Sequence, residues 1–427
     1  MFYKLIKQAS ILLGGNLSAS ILNFFSVAIA IKALGIELFG VATLLQAYIL
    51  VFSLCFNPQA WQGLIKYFNI EKNKKVIIKL TLRYDLICAL VGTTVAVLFT
   101  DIYTQFFNLS EYSELIKWCT LYVFINQTSV AIGVLRYTER YRALAMQSVV
   151  SALLFFILAW LGQWYEFGVE YFVGTYLVSL SIGIIYIQLC SCNYVFRYFT
   201  DKKNKSQTIS RDSKKSYNRF NYGVHLTALA DIPVKQLDTI LVGAVVSVGA
   251  AGAYRVIKQI ATVTTKVTGP LNQVLYPEIN NLLADKAFEK IKIAMLKLIL
   301  LLALPSFFLV LFASLTINYW VPLVFTHELL MYKWQIITFL IIHAAATAFT
   351  PIHPVFLALG YVKKLFYITL VSNIILCISI VFLGPKVELW GVLIAIFLQY
   401  LLTVLWKLPL ILKKLTQEVN ESITLRT

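Results

Sequence analysis

Apolar residues run through the chain in stretches of membrane length, at 10–31, 37–57, 76–100, 115–135, 143–163, 168–190, 221–246, 250–275, 291–314, 334–359, 362–383 and 388–410. About 20 apolar residues at ~1.5 Å per residue cross the ~30 Å hydrocarbon core of a bilayer, so the pattern predicts twelve transmembrane helices, numbered here as spans 1 to 12. Barrel strands alternate apolar and polar with period two, whereas Leu298–Leu304 is apolar without interruption, which favours helices over a closed barrel. The one long polar stretch, residues 197–219, separates six spans from six and reads as a flexible basic linker. The expected architecture is an all-α integral membrane protein. It has an N-terminal six-helix lobe at 1–196, a cytoplasmic linker at 197–219, a second six-helix lobe at 220–412 and a cytoplasmic tail at 413–427.

Composition agrees with this pattern. With 59% hydrophobic residues and a mean hydropathy of +0.77, the 427-residue chain is too apolar for a soluble enzyme. The net charge of +17 admits two readings, nucleic-acid affinity or cytoplasmic positive charge on a membrane protein. Position decides between them. Of the 37 Lys and Arg residues, 27 fall in alternate connections and at the two termini, from Lys4 and Lys7 through Lys66–Lys79, Arg136–Arg142 and Arg197–Arg219 to Lys407–Arg426. These connections and both termini are therefore expected on the cytoplasmic side. The partner is then the lipid bilayer, and no nucleic acid is expected.

Trp160, Trp164, Tyr165, Tyr319, Trp320 and Trp390 sit at the opposite, outer ends, as an aromatic belt does. The apolar run after Lys7 is longer than a signal-peptide core and reads as an uncleaved first helix. The six cysteines have no metal-ligand spacing, and no cofactor is expected.

Two bundles of six around a central linker suggest duplication. The segment Leu34–Val41 between spans 1 and 2 aligns with Val246–Ala253 between spans 7 and 8, at an offset of 212 residues. An even number of helices gives both halves one orientation, so the lobes are expected to be parallel pseudo-repeats.

Ionisable residues inside spans are costly and usually face a bundle interior or a water-filled cavity. In span 7, Asp231, Lys235 and Asp238 fall on one stripe at helical spacing, which Thr227 extends. Asp231 and Lys235 also form a favourable i,i+4 pair, so self-neutralisation is the plain structural reading there. In span 8, Arg255, Lys258 and Lys266 share a face with Gln259, Thr262 and Gln273, a polar stripe roughly 27 Å long. Span 8 has no acid of its own, although Asp238 is placed to balance one cation, so its cations point to an anionic ligand, to structural pairing or to snorkelling of Arg255 toward the outer surface. In the first half, Arg83 and Asp85 lie on different faces of span 3, Asn16, Ser20 and Asn23 mark one side of span 1, and Lys32 ends it. Residues 126–129 interrupt span 4. His225, His343 and His353 lie in or near spans and titrate near neutral pH when unperturbed. Pro233, Gly269-Pro270, Pro351 and Pro354 are expected to kink their helices.

The six-plus-six plan, the sequence LDTILVGAVVSVGAAGAYRVIKQ across spans 7 and 8, Leu34-Gly35 followed by Phe39-Gly40, and Tyr276-Pro277 after span 8 carry a family resemblance. The chain resembles the polysaccharide repeat-unit exporters of the multidrug/oligosaccharidyl-lipid/polysaccharide (MOP) superfamily. The resemblance implies an O-antigen flippase of the bacterial inner membrane, moving an undecaprenyl-pyrophosphate-linked oligosaccharide between leaflets. It places Arg255, Lys258, Lys266, Lys235, Lys32 and Arg83 about the pyrophosphate and sugar cavity. It makes Asp231, Asp238 and Asp85 candidates for coupling to a proton or sodium ion. A polymerase and a chain-length regulator of the same pathway are the implied protein partners. Lys32 stands where the family often has arginine, which removes bidentate recognition at that point.

Two other classes compete. A multidrug or metabolite antiporter of the same fold favours an acidic, aromatic cavity, where span 8 offers cations. A membrane polymerase or glycosyltransferase needs an outer loop carrying clustered catalytic groups. No outer loop here exceeds about 20 residues or holds an acid/base pair, an activated nucleophile or a metal set.

Overall fold

The computed structural model describes residues 2–71, 73–200, 210–266, 279, 282–283 and 285–424. All regular structure among them is helical, and eight helical stretches are long and apolar enough to cross a membrane. Contacts divide the chain into two compact units, Met1–Ala244 and Val245–Thr427.

The first unit opens with α1 (Phe2–Cys55), too long for one crossing and broken at Gly35, whose φ of 74° and ψ of 171° suit glycine alone. The break stands where Leu34-Gly35 is expected to turn the chain. After Pro58 the helical path resumes as α2 (Trp61–Ile70). Sequence periodicity places this segment in a connection, because Pro58 and Lys66 interrupt its apolar run. Next come α3 (Lys74–Phe106), the short helices α4 (Ser113–Cys119), α5 (Leu121–Ile125) and α6 (Ser129–Tyr137), then α7 (Tyr141–Trp164) and α8 (Val169–Thr200). The polar run at 126–129 does interrupt its helix: Asn126, Gln127 and Thr128 lie between α5 and α6.

The stretch expected as a linker is helical at both ends. α8 continues to Thr200, and α9 (Arg211–Ala230) starts with Ser210 capping its first turn, the Ser210 Oγ accepting from the Ser213 N–H at 3.1 Å. Tyr217 of α9 is fully buried, its ring 5.2 Å from that of Tyr67 and its hydroxyl 2.7 Å from Thr81 Oγ1. Burial of this aromatic ties the basic segment to α2 and α3. Residues 201–209 lie outside the described residues. Basic side chains at this end rest on aromatic rings: Lys66 over Phe220 at 4.2 Å, Lys74 over Tyr137 at 4.6 Å and Arg136 over Trp61 at 3.9 Å. At the other end Lys117, a basic residue beside an outer connection, is neutralised by Asp101 at 3.1 Å and Glu114 at 2.9 Å.

A π-helical segment at Pro233–Leu237 follows α9 and leads into α10 (Asp238–Val245). Proline lacks the N–H that an α-helical turn needs, and the wider turn shifts the register of α10 relative to α9.

The second unit begins with α11 (Val248–Lys266), whose first turn is capped by Ser247, its Oγ accepting from the Ala250 N–H at 3.0 Å. The two matching turns of the suggested repeat therefore use different chemistry, a glycine conformation in one and a serine cap in the other. Gly269-Pro270, Gln273 and Tyr276-Pro277 lie outside the described residues. α12 (Phe288–Leu315), α13 (Ile317–Val324), α14 (Lys333–Ala348), α15 (Ile352–Ala358) and α16 (Val362–Thr424) complete the chain. α13 falls in a segment expected as a loop. Pro351 and Pro354 mark the join of α14 and α15, as expected, and α16 is broken at Val387 and Glu388, between spans 11 and 12. α12 leaves Leu300, Leu304, Phe308 and Phe312 about two-thirds exposed, an apolar face suited to lipid.

Gly35→Ala forces an L side chain into a conformation reserved for glycine and should destabilise the protein by about 1–3 kcal/mol. Gly14, with nothing within 4 Å of an added Cβ, should accept alanine with no loss. Thermal unfolding of the detergent-solubilised variants checks this, and an unchanged midpoint for Gly35→Ala contradicts the reading.

Candidate functional site

Two groups of polar residues occur within apolar surroundings, one in each unit. In the first, the break after α1 and the break between α5 and α6 are tied together. Asn57 Nδ2 donates to the Asn126 carbonyl at 2.9 Å, Asn126 Nδ2 to Ser53 Oγ at 2.5 Å, and Gln127 Nε2 to the Phe56 carbonyl at 3.2 Å. The Ala60 N–H donates to Ser129 Oγ at 3.2 Å, and Gln188 Nε2 of α8 donates to the carbonyls of Ile125 and Gln127 at 3.2 Å each. These side chains take the place of the helical bonds that the breaks remove.

Asp85 of α3 completes the group. It is 5% exposed, and its Oδ2 accepts from the Ser129 N–H at 3.1 Å, at the N-terminus of α6, where the helix dipole favours an anion. Its Oδ1 is buried with no hydrogen-bond partner. Asp85 lines a cavity of about 350 Å³ together with Gln127, Gln188 and Ser191. Arg83, two residues away, is exposed and on another face, as its spacing predicts. Lys32 is likewise exposed, just before the break of α1 at Gly35.

Asp231 and Lys235 do form the i,i+4 ion pair, at 3.7 Å, with both side chains about half exposed. Asp238 does not share their setting. It is 2% exposed, and its Oδ1 accepts from the Thr239 N–H at 2.8 Å. The π-helical turn between them splits the stripe expected from regular spacing.

In the second unit, α11 presents Arg255, Lys258 and Gln259 as half-buried residues, while Tyr254, Val256, Ile257, Ile260 and Ala261 are buried. Of the polar face predicted for span 8, the described residues Arg255, Lys258 and Gln259 are therefore the less buried side of the helix within this unit. Lys258 Nζ lies 5.8 Å from the centre of the Tyr254 ring, which packs edge-on to Phe339 of α14 at 6.1 Å. Phe339 in turn stacks on His343 at 4.5 Å, a buried histidine whose Nδ1 has no partner. Lys266 ends α11, and its side chain lies outside the described residues. His353 of α15 is exposed. Among the described residues no cluster of His, Cys, Asp or Glu is arranged to hold a metal ion. A position that sequence reasoning passed over is Lys407 of α16, only 7% exposed, placed by its charge at a cytoplasmic end.

Residues 5–283 match the family described as Polysaccharide biosynthesis protein. No curated protein matches the chain. Among solved structures, an inward-facing conformation of a multidrug resistance MATE family transporter of the MOP superfamily superposes with a TM-score of 0.71 at 14% identity, covering 96% of this chain and 99% of that one. An outward-facing conformation of such a transporter gives 0.62 at 16% identity, with 97% and 96% covered. The eukaryotic MATE transporter AtDTX14 gives 0.59 at 15% identity, with 98% and 97% covered. At these identities the likeness is one of fold, and it extends over nearly the whole chain. With a family match over well more than half its residues, the chain belongs to the family described as Polysaccharide biosynthesis protein.

Proposed function

We propose that the protein is a flippase that carries an undecaprenyl-pyrophosphate-linked oligosaccharide, an O-antigen or related repeat unit, from the cytoplasmic to the periplasmic leaflet of a bacterial inner membrane. On this reading the chain crosses the bilayer twelve times. α1 and α2 supply two crossings about Gly35, α16 supplies two about Glu388, and the remaining helices supply eight, with both termini cytoplasmic. The lobe boundaries at 196 and 220 belong to the same proposal, as do the polymerase and chain-length regulator as partners.

The observation that carries the reading is the less buried side of α11. Arg255 and Lys258 are half-buried cations on a helix otherwise packed into its unit. A pyrophosphate cannot enter ~30 Å of hydrocarbon without replacement of its hydration, and charge-assisted hydrogen bonds from guanidinium and ammonium groups replace it well. Lys235, Lys32 and Arg83 are secondary anion contacts on this reading, as all three are exposed. Alternating access by rocking of one lobe against the other moves the head group while the polyprenyl tail stays in lipid. The family description, polysaccharide biosynthesis, supports this cargo over the organic cations of a multidrug antiporter, and those cations are repelled by the charge on α11.

Coupling to a proton or sodium ion is assigned first to Asp85, which lines a cavity and whose buried Oδ1 has no hydrogen-bond partner. Asp231 already has Lys235 as its partner and Asp238 bonds to Thr239, which places both after Asp85.

Replacing Arg255, Lys258 and Lys266 together with alanine should abolish surface polysaccharide in cells while the lipid-linked unit accumulates on the cytoplasmic leaflet at unchanged protein abundance. Normal surface polymer from that variant contradicts the assignment. For coupling, Asp85→Asn keeps an acceptor for the Ser129 N–H and removes the charge. Gradient-driven stimulation of transport in proteoliposomes should fall on the order of tenfold, within the usual range of coupling between sites. A variant that responds to proton and sodium gradients as the wild type does contradicts this role.

A further inference from the structure

The first unit holds a second cavity, of about 410 Å³, between Pro58, Tyr84 and Cys88 on one side and α9 on the other. This lies within the size range of small-molecule sites. α9 contributes Asn218, Asn221 and His225, whose spacing of three and four residues puts them on one helix face.

These residues carry buried polar atoms without partners: Asn218 Oδ1, both amide atoms of Asn221, and His225 Nδ1. Asn221 is only 2% exposed. Its amide packs against Gly63 of α2, where an added Cβ would collide with the Asn221 Oδ1. The neighbouring Tyr217 hydroxyl is paired with Thr81 Oγ1 at 2.7 Å and lies beside the Asn221 amide, which leaves the Asn218 Oδ1 and His225 Nδ1 as the atoms a ligand would have to complete. A folded protein rarely leaves so many buried donors and acceptors in one place unless a ligand or water completes them.

The kinds of groups present select the ligand. Amides donate and accept together, the imidazole adds a further polar atom, and Tyr84 offers a half-buried aromatic edge. Arg219 and Tyr222 are exposed at the rim, and among the described residues no carboxylate lines the cavity. Such a set suits a neutral, many-hydroxylated ring, and it lacks the counter-charge that an organic cation needs.

We infer that this pocket is a sugar subsite for the saccharide of the lipid-linked cargo, an inference that rests on the flippase reading above. The test uses the full-length protein in nanodiscs of phosphatidylethanolamine. Two carriers are titrated, bare undecaprenyl pyrophosphate and the same carrier bearing one N-acetylglucosamine. The wild type should bind the sugar-bearing carrier about tenfold more tightly, since a site built to hydrogen-bond hydroxyls discriminates against a ligand without them.

Asn218→Ala combined with His225→Ala should remove that preference and leave binding of the bare carrier unchanged. Gly63→Ala, which pushes the Asn221 amide into the cavity, should act in the same way without removing any pocket group. A preference that persists in both variants, or one that disappears from the wild type when phosphatidylglycerol is added to the nanodiscs, overturns the inference. The second result would mark the cavity as a site for the glycerol headgroup. Binding of bare carrier with no sugar preference in the wild type overturns the subsite and leaves the flippase reading in place. Failure of the wild type to bind either carrier overturns both.

Discussion

Inside a bilayer a backbone N–H or C=O that loses its helical partner has no water to turn to, and this protein breaks two neighbouring helices within one unit. The breaks at 56–60 and 126–128 survive because Asn57, Asn126, Gln127, Ser129 and Gln188 reach across and supply the missing bonds. Asp85 belongs to this arrangement. Its carboxylate meets the Ser129 N–H at the start of α6, which gives a buried acid a structural reason to be there. Only one of its two oxygens is used in this way. The other is buried without a hydrogen-bond partner, and the residue lines a cavity with Gln127 and Gln188.

The two units differ in the chemistry they offer. The first holds amides, hydroxyls and the buried carboxylates of Asp85 and Asp238, whereas the second presents cations on α11 beside an aromatic cluster of Tyr254, Phe339 and His343. An amphipathic cargo with a neutral saccharide, a dianionic linkage and a hydrocarbon tail has a use for each of these surfaces and for lipid as well. A hydrophobic cation has little use for Arg255 and Lys258. The same fold serves transporters described as multidrug resistance proteins, so fold alone does not set the cargo, and on the proposed reading side chains such as these do.

Much of the helical plan was legible in the sequence, for definite reasons. Continuous apolar runs mark spans, the Leu34-Gly35 turn requires glycine, and the polar run at 126–129 interrupts its helix as composition suggests. The ion pair of Asp231 with Lys235 comes from regular spacing. The features that escaped depend on irregularity or on distant partners. The π-helical turn after Pro233 separates Asp238 from that pair, and no periodicity argument contains it. Trp61–Ile70 looked like a connection, because an interrupted helix with a lysine has no continuous apolar run. The face of α9 with Asn218 and Asn221 straddles the end of the expected linker, since it is Tyr217 buried against Tyr67 and Thr81 that folds this basic segment into the unit.

The central claim is that the cargo is a lipid-linked saccharide moved between leaflets. It is tested most directly with the purified protein in sealed proteoliposomes loaded with fluorescent undecaprenyl-pyrophosphate oligosaccharide in the inner leaflet, with an impermeant glycosidase outside. The account predicts protein-dependent exposure of the saccharide to the enzyme, and no protein-dependent movement of an organic cation such as ethidium. Efflux of ethidium with no exposure of the saccharide contradicts the account and makes the protein a multidrug antiporter.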